Sequence, residues 1–229
     1  MKFRLLAVAV AAFAMAGTAV AQDTSTEKGK VSYAMGYQMG ASVADVGETL
    51  DANAVLKGLN DALAKKQPSV PVDQLQAAMT AFEGRVAARQ KAEFDKAAAS
   101  NLAESNKFLD ANKAKAGVQT LPGGTQYRVI TAGKGAKPTA ASTVSMQIAG
   151  PFPLGQRPQD AQAAAARPVN NLKVSEIPLV GLRTAITSMP VGSKWEITVP
   201  PAQGFGADIR NGQPPNVALQ YEVTLVSSK

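Results

Sequence analysis

The fold is decided by the stretch Ser188-Met-Pro-Val-Gly-Ser-Lys-Trp-Glu-Ile-Thr-Val-Pro200, where the hydrophobic period of the chain changes. Just before and into it, apolar residues recur at the i, i+3, i+4 and i+7 positions of a short helix, at Leu182, Ala185, Ile186 and Met189. Further along, Trp195, Ile197 and Val199 alternate with polar neighbours, as in a strand with one buried face. The stretch therefore predicts a short helix that leads into a strand.

The two-residue period also occurs on both sides of that stretch and predicts three more half-buried strands. Their alternating apolar residues are Tyr127 and Val129, then Val144, Met146 and Ile148, and then Leu219, Tyr221, Val223 and Leu225. Glycine and proline occupy the gaps, as in Leu121-Pro-Gly-Gly and Gly133-Lys-Gly135. A sheet of antiparallel strands with a single helix on one face is an α+β domain, which we predict for residues 117–229.

The N-terminal half of the chain follows the helical period instead. Residues 22–30 are polar. Beyond them, apolar residues recur at four-residue spacing, at Val31, Met35 and Met39. Asp51 is a candidate N-cap for a second helix. The apolar face of that helix consists of Val55, Leu56, Leu59 and Leu63. We therefore predict a helical domain over residues 22–72.

A single long helix is predicted over residues 73–116. Pro68 and Pro71 break the chain before it, Asp73 is its candidate N-cap, and Gly117 follows its end. At 1.5 Å per residue it would be roughly 60 Å long. Because it consists largely of residues that favour helix but bury little surface, we predict a rod that spans distance without forming a core.

The first 21 residues predict a signal peptide. A basic start is followed by an apolar stretch from Leu5 to Ala16, and Ala19-Val-Ala21 forms a small-x-small cleavage site. The alternative is an uncleaved anchor, although the apolar stretch is short for a membrane span. We therefore expect a periplasmic or secreted protein that is cleaved near Ala21.

Composition excludes several kinds of chemistry. The chain has no Cys and no His, which removes disulfides, thiolate metal sites and the usual imidazole base. We expect no metal and no cofactor, so any activity must rest on shape, apolar contacts and hydrogen bonds. The charge of +7 comes from 24 basic and 17 acidic residues that do not cluster with aromatics. Nucleic acid is therefore not an expected partner, and any membrane contact would be peripheral.

The stretch from Ser188 to Pro200 resembles the core of the FKBP-type peptidyl-prolyl cis-trans isomerases. Further matching segments follow in family order: Leu121-Pro-Gly-Gly-Thr-Gln-Tyr-Arg-Val-Ile130, Thr143-Val144, Gly150, Leu154-Gly155, Gly204-Phe-Gly206, and Pro215-Asn216 followed by Leu219. The resemblance implies an antiparallel half-barrel sheet with one short helix packed on it.

The helical half resembles the dimerisation domain and connecting helix of the macrophage infectivity potentiator (Mip-like) class. The similarity includes the start of the first helix, Val31-Ser-Tyr-Ala-Met-Gly36. The resemblance implies a homodimer. The residues expected at its interface are Val31, Met35, Gly36, Met39 and Gly40.

The resemblance also implies which residues line a substrate cleft. The family surrounds the proline ring with aromatic walls over a tryptophan floor, and a tyrosine and an aspartate hydrogen-bond the substrate backbone. The corresponding positions here hold Ile148, Pro158, Gln159, Leu179, Leu182, Phe205 and Tyr221. A slip of one residue would bring Asp160 to the aspartate position, and a shifted gap would bring Ile177 in place of Leu179. The cleft is therefore expected to be apolar but degenerate, since the floor and the polar groups are replaced.

Three functions are compatible with such a chain. The first is an isomerase that acts on proline-containing clients with weak or lost turnover. The second is a non-catalytic dimeric chaperone that holds an unfolded chain in two clefts by avidity. The third is a structural dimer without a client cleft. The segment from Gln156 to Asn171, which replaces the family's aspartate-bearing flap, is predicted to be a surface loop.

Overall fold

The computed structural model describes residues 24–45, 47–162 and 164–229. The predicted signal peptide, residues 1–21, lies outside them. Internal contacts divide the chain into two compact units, one that ends at Val86 and one that runs from Ala87 to Lys229. No helix among the described residues is long and apolar enough to cross a membrane.

The first unit is helical. It contains α1 (Glu27–Asp45), α2 (Ala52–Leu63) and the beginning of α3 (Val72–Lys113). The side chain of Asp51 caps α2 by accepting hydrogen bonds from the backbone N–H groups of Asn53 and Ala54, at 2.8 and 3.1 Å. None of the described residues of this unit is fully buried. Its apolar residues therefore form little core within one chain.

Two helix starts differ from the sequence prediction. The first helix begins at Glu27 and not at Val31, because the hydroxyl of Thr26 accepts the N–H of Gly29 and caps it. The long helix begins at Val72, so Asp73 lies within its first turn and is not its cap. There the carboxylate still faces the positive end of the helix dipole. The long helix also ends at Lys113, short of the predicted end.

The second unit is built on one antiparallel sheet of six strands in the order β1-β2-β5-β6-β3-β4. The strands are β1 (Val118–Thr120), β2 (Gln126–Thr131), β3 (Thr143–Pro153), β4 (Arg167–Lys173), β5 (Lys194–Val199) and β6 (Leu219–Ser228). A short helix, α4 (Val180–Ser188), packs on one face. The predicted α+β fold is confirmed.

The apolar core lies between α4 and this face of the sheet. Leu182, Ala185 and Ile186 on α4, and Met189 just after it, are buried as their helical spacing predicted. They pack with the alternating residues of the central strands, which include Ile197, Tyr221 and Val223. Trp195 is also buried, and its ring stacks on that of Tyr127 at 4.2 Å between centroids. The period-two pattern therefore identified the buried face of β3, β5 and β6, but it is wrong for Val129 on β2, which is 41% exposed where that strand leaves the core.

The prediction of a surface loop from Gln156 to Asn171 is wrong for residues 167–171, which belong to β4. This strand pairs with β3, with Val169 opposite Met146 and Arg167 opposite Ile148. It lies at the edge of the sheet, so only one of its sides is paired. The three-residue strand β1, at the other edge, was also not predicted.

The opposite face of the sheet carries a buried polar row that docks against α3. Gln126, Thr198 and Gln220 are cross-strand neighbours on β2, β5 and β6. The side-chain amide of Asn112 on α3 donates to Gln126 at 2.9 Å and to Thr198 at 3.3 Å. Gln126 in turn donates to the carbonyl of Leu109 at 2.9 Å. The end of the long helix is therefore part of the second unit.

Ser105 on α3 is fully buried in the same contact. Its hydroxyl donates to the carbonyl of Asn216 at 3.0 Å and accepts the N–H of Ala218 at 2.8 Å. Ser105→Ala should lower the free energy of unfolding by about 1–3 kcal/mol, because two buried backbone groups lose their partner. The measurement is urea unfolding followed by the fluorescence of Trp195.

Ser100→Ala is the matched control, because Ser100 lies on the same helix and is exposed. It should change the free energy of unfolding by less than about 0.5 kcal/mol. Equal stabilities of the two variants would show that the Ser105 hydrogen bonds contribute nothing to the stability of this unit.

Candidate functional site

Five of the predicted cleft residues meet at the apolar core of the second unit. Leu179, Leu182 and Tyr221 are each only 4% exposed and belong to the core cluster. Ile148 and Phe205 are partly buried and pack against that cluster. The three buried residues therefore form a base, and the two half-buried residues retain surface that a ligand could reach.

The base of this site depends on close packing at the start of α4. Gly181 has no room for a side chain, because a Cβ there would come within 2.4 Å of the Thr125 hydroxyl and 2.9 Å of Val199. This approach brings the first turn of the helix onto the sheet, with Leu179 at the N-cap and Leu182 one turn later. Glycine at position 181 is thus what allows Leu182 to be buried.

Tyr221 lies on the central strand β6, opposite Ile197. Burial raises the pKa of its hydroxyl well above the usual value, so the group stays neutral. Gly150 lies beside it on β3, and a Cβ there would come within 3.2 Å of the ring. Tyr221 therefore contributes a neutral aromatic surface to the site.

Phe205 follows a short 3-10 turn, Pro201–Gln203, and begins the connection to β6. The N–H of Asn216 donates to the carbonyl of Gly206 at 2.6 Å, which closes the loop of residues 206–216 at its base. Gly206 has a positive φ of 58°, a conformation that glycine adopts at little cost. Loop closure at this point fixes the backbone next to Phe205.

The two predicted polar residues of the site are exposed and do not belong to the apolar cluster. Gln159 and Asp160 are exposed on the segment between β3 and β4, and the carboxylate of Asp160 accepts the N–H of Gln162 at 2.9 Å. Neither forms a hydrogen bond with the five apolar residues. Pro158 is exposed on the same segment.

Val169 contacts the apolar cluster of the site, and the sequence pattern did not reveal this. It is half-buried on β4 and packs against the same core cluster. Its segment contains Pro168 and two asparagines, which hid the strand pattern. Val169 and Leu172 are the only large apolar residues between Leu154 and Val174, and that isolation was the one available signal.

An ionic cluster anchors the segment that carries Gln159 and Asp160. The guanidinium of Arg157 lies over the ring of Phe152, 4.9 Å from its centroid, and pairs with Glu222 at 3.1 Å. Lys194 pairs with the same carboxylate at 2.7 Å. Burial alone would raise the pKa of Glu222, but the hydrogen bonds from Lys194 and Arg157 outweigh it and lower the pKa below its usual value.

Chemically, the site offers apolar surface without a nucleophile or base. No group of three or more potential metal-ligating side chains occurs within the described ranges. Asp208 and Arg210 form an ion pair in the loop after Phe205, and the side-chain and backbone hydrogen bonds of Arg210 lower the pKa of Asp208 to about 2. The site can therefore bind an apolar segment and exclude water from it.

Comparison with protein families assigns both halves of the chain. Residues 28–129 match the domain amino terminal to FKBP-type peptidyl-prolyl isomerase, and residues 134–226 match the FKBP-type peptidyl-prolyl cis-trans isomerase domain itself. The outer membrane protein MIP of Legionella longbeachae is 33% identical over 233 residues, which cover 100% of this chain and 99% of that protein. The chain belongs to the FKBP-type isomerase family, in its Mip-like class.

Other members of the FKBP-type family extend this result. The FKBP-type 22 kDa peptidyl-prolyl cis-trans isomerase of Escherichia coli is 35% identical over 207 residues, which cover 88% of this chain and 95% of that protein. The crystal structure of FkpA from Escherichia coli has a TM-score of 0.68 at 24% identity and covers 89% of this chain and 97% of that one. That likeness confirms the fold of a helical part followed by an FKBP domain.

The ion pairs of Glu222 predict how the FKBP domain responds to acid. Because folding lowers the pKa of this carboxyl, its stabilising effect is complete above the unfolded pKa and is lost as pH falls through the folded pKa. Between about pH 5 and pH 3, the wild type should lose up to about 1 kcal/mol more unfolding free energy than Glu222→Gln. Urea unfolding at each pH measures the difference.

Glu176→Gln is the control for this experiment, since Glu176 is exposed and forms no ion pair in the described structure. Its stability should follow that of the wild type across the same pH range. Parallel curves for the wild type and Glu222→Gln would contradict the assignment of Glu222.

Proposed function

We propose that this protein is an envelope-located, homodimeric FKBP-type isomerase whose cleft binds prolyl segments of unfolded clients but turns them over slowly. The observation that carries the proposal is the apolar cluster that contains or contacts the predicted cleft residues. The family resemblance implies that Ile148 and Leu182 replace a tyrosine and a tryptophan, and both pack into this cluster.

The reaction supports an apolar cleft. Rotation about a peptide bond has a barrier of about 18–20 kcal/mol, because it costs amide resonance. The twisted amide is less charge-separated than the planar amide, so an apolar environment favours the transition state over the ground state. Phe205, Ile148 and Tyr221 would supply that environment around the proline ring.

Low turnover follows from the missing orienting groups. An isomerase must hold the substrate backbone in one geometry while the bond rotates, and poor placement can cost about a hundredfold in rate. The resemblance places family tyrosines at Ile148 and at Phe205, so a tyrosine hydroxyl is absent at both positions. Gln159 and Asp160 lie exposed on the segment before β4. Binding would therefore survive better than catalysis.

A proline-peptide assay tests this proposal. We expect kcat/KM for a Leu-Pro tetrapeptide to lie at least about tenfold below that of the Escherichia coli 22 kDa relative. Phe205→Ala should weaken peptide binding about threefold to tenfold, because Phe205 offers accessible aromatic surface. Phe94→Ala, a half-buried residue on α3 outside the cluster, should leave binding unchanged. A rate equal to that of the relative would contradict slow turnover.

The second candidate function is a non-catalytic chaperone or scaffold that uses the same surface. The predominantly apolar character of the site favours it, since binding an unfolded segment needs no orienting groups. Suppression of client aggregation without measurable isomerisation would select the chaperone. Absence of both activities, with a folded protein, would select the scaffold.

The location is proposed from the N-terminal sequence and from one relative. A basic start, an apolar stretch and Ala19-Val-Ala21 predict export and cleavage near Ala21. The Legionella relative is an outer membrane protein by name. We therefore place the mature protein in the periplasm, where unfolded polypeptides would be its clients.

The homodimer is proposed from the uncovered apolar surface of α1. Val31, Met35 and Met39 are 55%, 66% and 47% exposed, which is unusual for three apolar residues along one helix. A Cβ at Gly36 or Gly40 would meet no atom within 4 Å, so the helix surface is open there. A second copy of this chain would bury these side chains and could approach the glycines closely.

Charge introduced at this surface should prevent association. Met35→Glu combined with Met39→Glu would bury two carboxylates in an apolar interface, which is strongly unfavourable. We expect sedimentation equilibrium to give a dimer for the wild type and a monomer for the double variant. Gln38→Glu, an exposed position on the same helix, should remain dimeric. A dimeric double variant would place the interface elsewhere.

A further inference from the structure

The long helix α3 holds the chain segment that leads into β6. Asn101 donates its side-chain amide to the carbonyl of Pro215 at 2.9 Å. Ser105 donates to the carbonyl of Asn216 at 3.0 Å and accepts the N–H of Ala218 at 2.8 Å. The side-chain amide of Asn216 donates in the other direction, to the carbonyl of Ala98 at 3.3 Å. Four hydrogen bonds therefore join two turns of the helix to three residues of the segment Pro215–Ala218.

This segment is also the base of the loop next to Phe205. The N–H of Asn216 reaches the carbonyl of Gly206 at 2.6 Å, so one residue is bonded both to the helix and to the neighbour of Phe205. The loop of residues 206–216 thus has its closing point on the helix. Displacement of Asn216 would move the backbone next to Phe205, the half-buried aromatic residue of the cleft.

The same helix supports the other side of the site. Gly155, which has a positive φ of 70°, begins the segment that carries Gln159 and Asp160. A Cβ at Gly155 would come within 3.0 Å of the ring of Phe108 on α3. The N–H of Leu154 donates to the carbonyl of Ala218, next to the Ser105 contact. One helix face therefore contacts the bases of both loops that border the cleft.

We propose that Asn101 and Ser105 are positioning residues of the cleft, which fix Phe205 through the Pro215–Ala218 segment. The inference rests on the proposed function only in its consequence for prolyl peptides, since the hydrogen bonds exist without a client. The long helix would accordingly be a structural part of the binding site as well as a connection between the halves of the chain.

Loss of these hydrogen bonds would affect the peptide-free loop more than the peptide-bound loop. A loop released from the helix samples more conformations, and a peptide must order it again on each binding event. Once the peptide is bound, the wall has the same geometry in the variant and in the wild type. We call the hydrogen bonds from Asn101 and Ser105 to the Pro215–Ala218 segment the clamp. Loss of the clamp should therefore raise Kd and KM and leave kcat nearly unchanged.

Asn101→Asp is the sharpest variant, because it keeps the size of the side chain but replaces the donor with a carboxylate that repels the Pro215 carbonyl. Asn101 is only partly buried, so the fold should tolerate the change. Asn106→Asp is the matched control, with the same substitution and the same added charge at an exposed position of the same helix.

Two measurements are compared between these variants. Hydrogen exchange of residues 206–218 should become faster in Asn101→Asp than in Asn106→Asp, while exchange in β5 stays equal. The Kd and KM of a Leu-Pro tetrapeptide should rise about threefold to tenfold in Asn101→Asp, with kcat changed less than twofold. Asn101→Gln, which restores an amide donor, should recover part of the lost protection and affinity.

The outcomes separate this proposal from the proposed function. Unchanged exchange in residues 206–218 would overturn the clamp whatever the peptide does. Faster exchange with unchanged Kd would overturn its role in the cleft. Faster exchange in a protein whose wild type binds no prolyl peptide would support the clamp and count against the proposed function.

Discussion

The second unit depends on a buried polar contact between a helix and the outer face of its sheet. The side-chain amide of Asn112 donates hydrogen bonds to Gln126 and Thr198 away from water. Each of these groups would cost about 1–3 kcal/mol if it were buried without a partner. Apolar surfaces can slide over one another at small cost, but such a polar row accepts only one register of the helix. The direction of α3 and the loops that it touches follow from that register.

The two faces of the sheet consequently have different roles. One face packs against α4 and forms the apolar core on which the candidate cleft is built. The other face holds the helix and, through Ser105 and Asn101, the segment before β6. A sheet that is apolar on one side and hydrogen-bonded on the other can thus support a binding surface from both directions. Substitutions far from the cleft on the outer face can therefore alter it.

The sequence predicted those parts of the fold in which burial imposes a strict period. The central strands and α4 alternate or recur without interruption, so Leu182, Ile197 and Tyr221 were assigned to the correct face. Strand β4 was missed because an edge strand pairs on one side only and tolerates Pro168 and two asparagines. The clamp residues were missed for another reason: a serine or asparagine that docks against backbone cannot be told from one that faces water. Gln159 and Asp160 could not be placed, since the length of their segment leaves the register open.

The two units of the chain can be followed separately by spectroscopy, because tryptophan fluorescence arises only from the second unit. Trp195 is the only tryptophan in the chain and lies in the second unit, whereas Tyr33 and Tyr37 lie on α1 in the first. Light of a wavelength that tryptophan absorbs and tyrosine does not excites Trp195 alone. The emission of Trp195 then reports the unfolding of the second unit. Circular dichroism is dominated by the helices. The two signals together can show whether the halves of the chain denature in one cooperative step or in two.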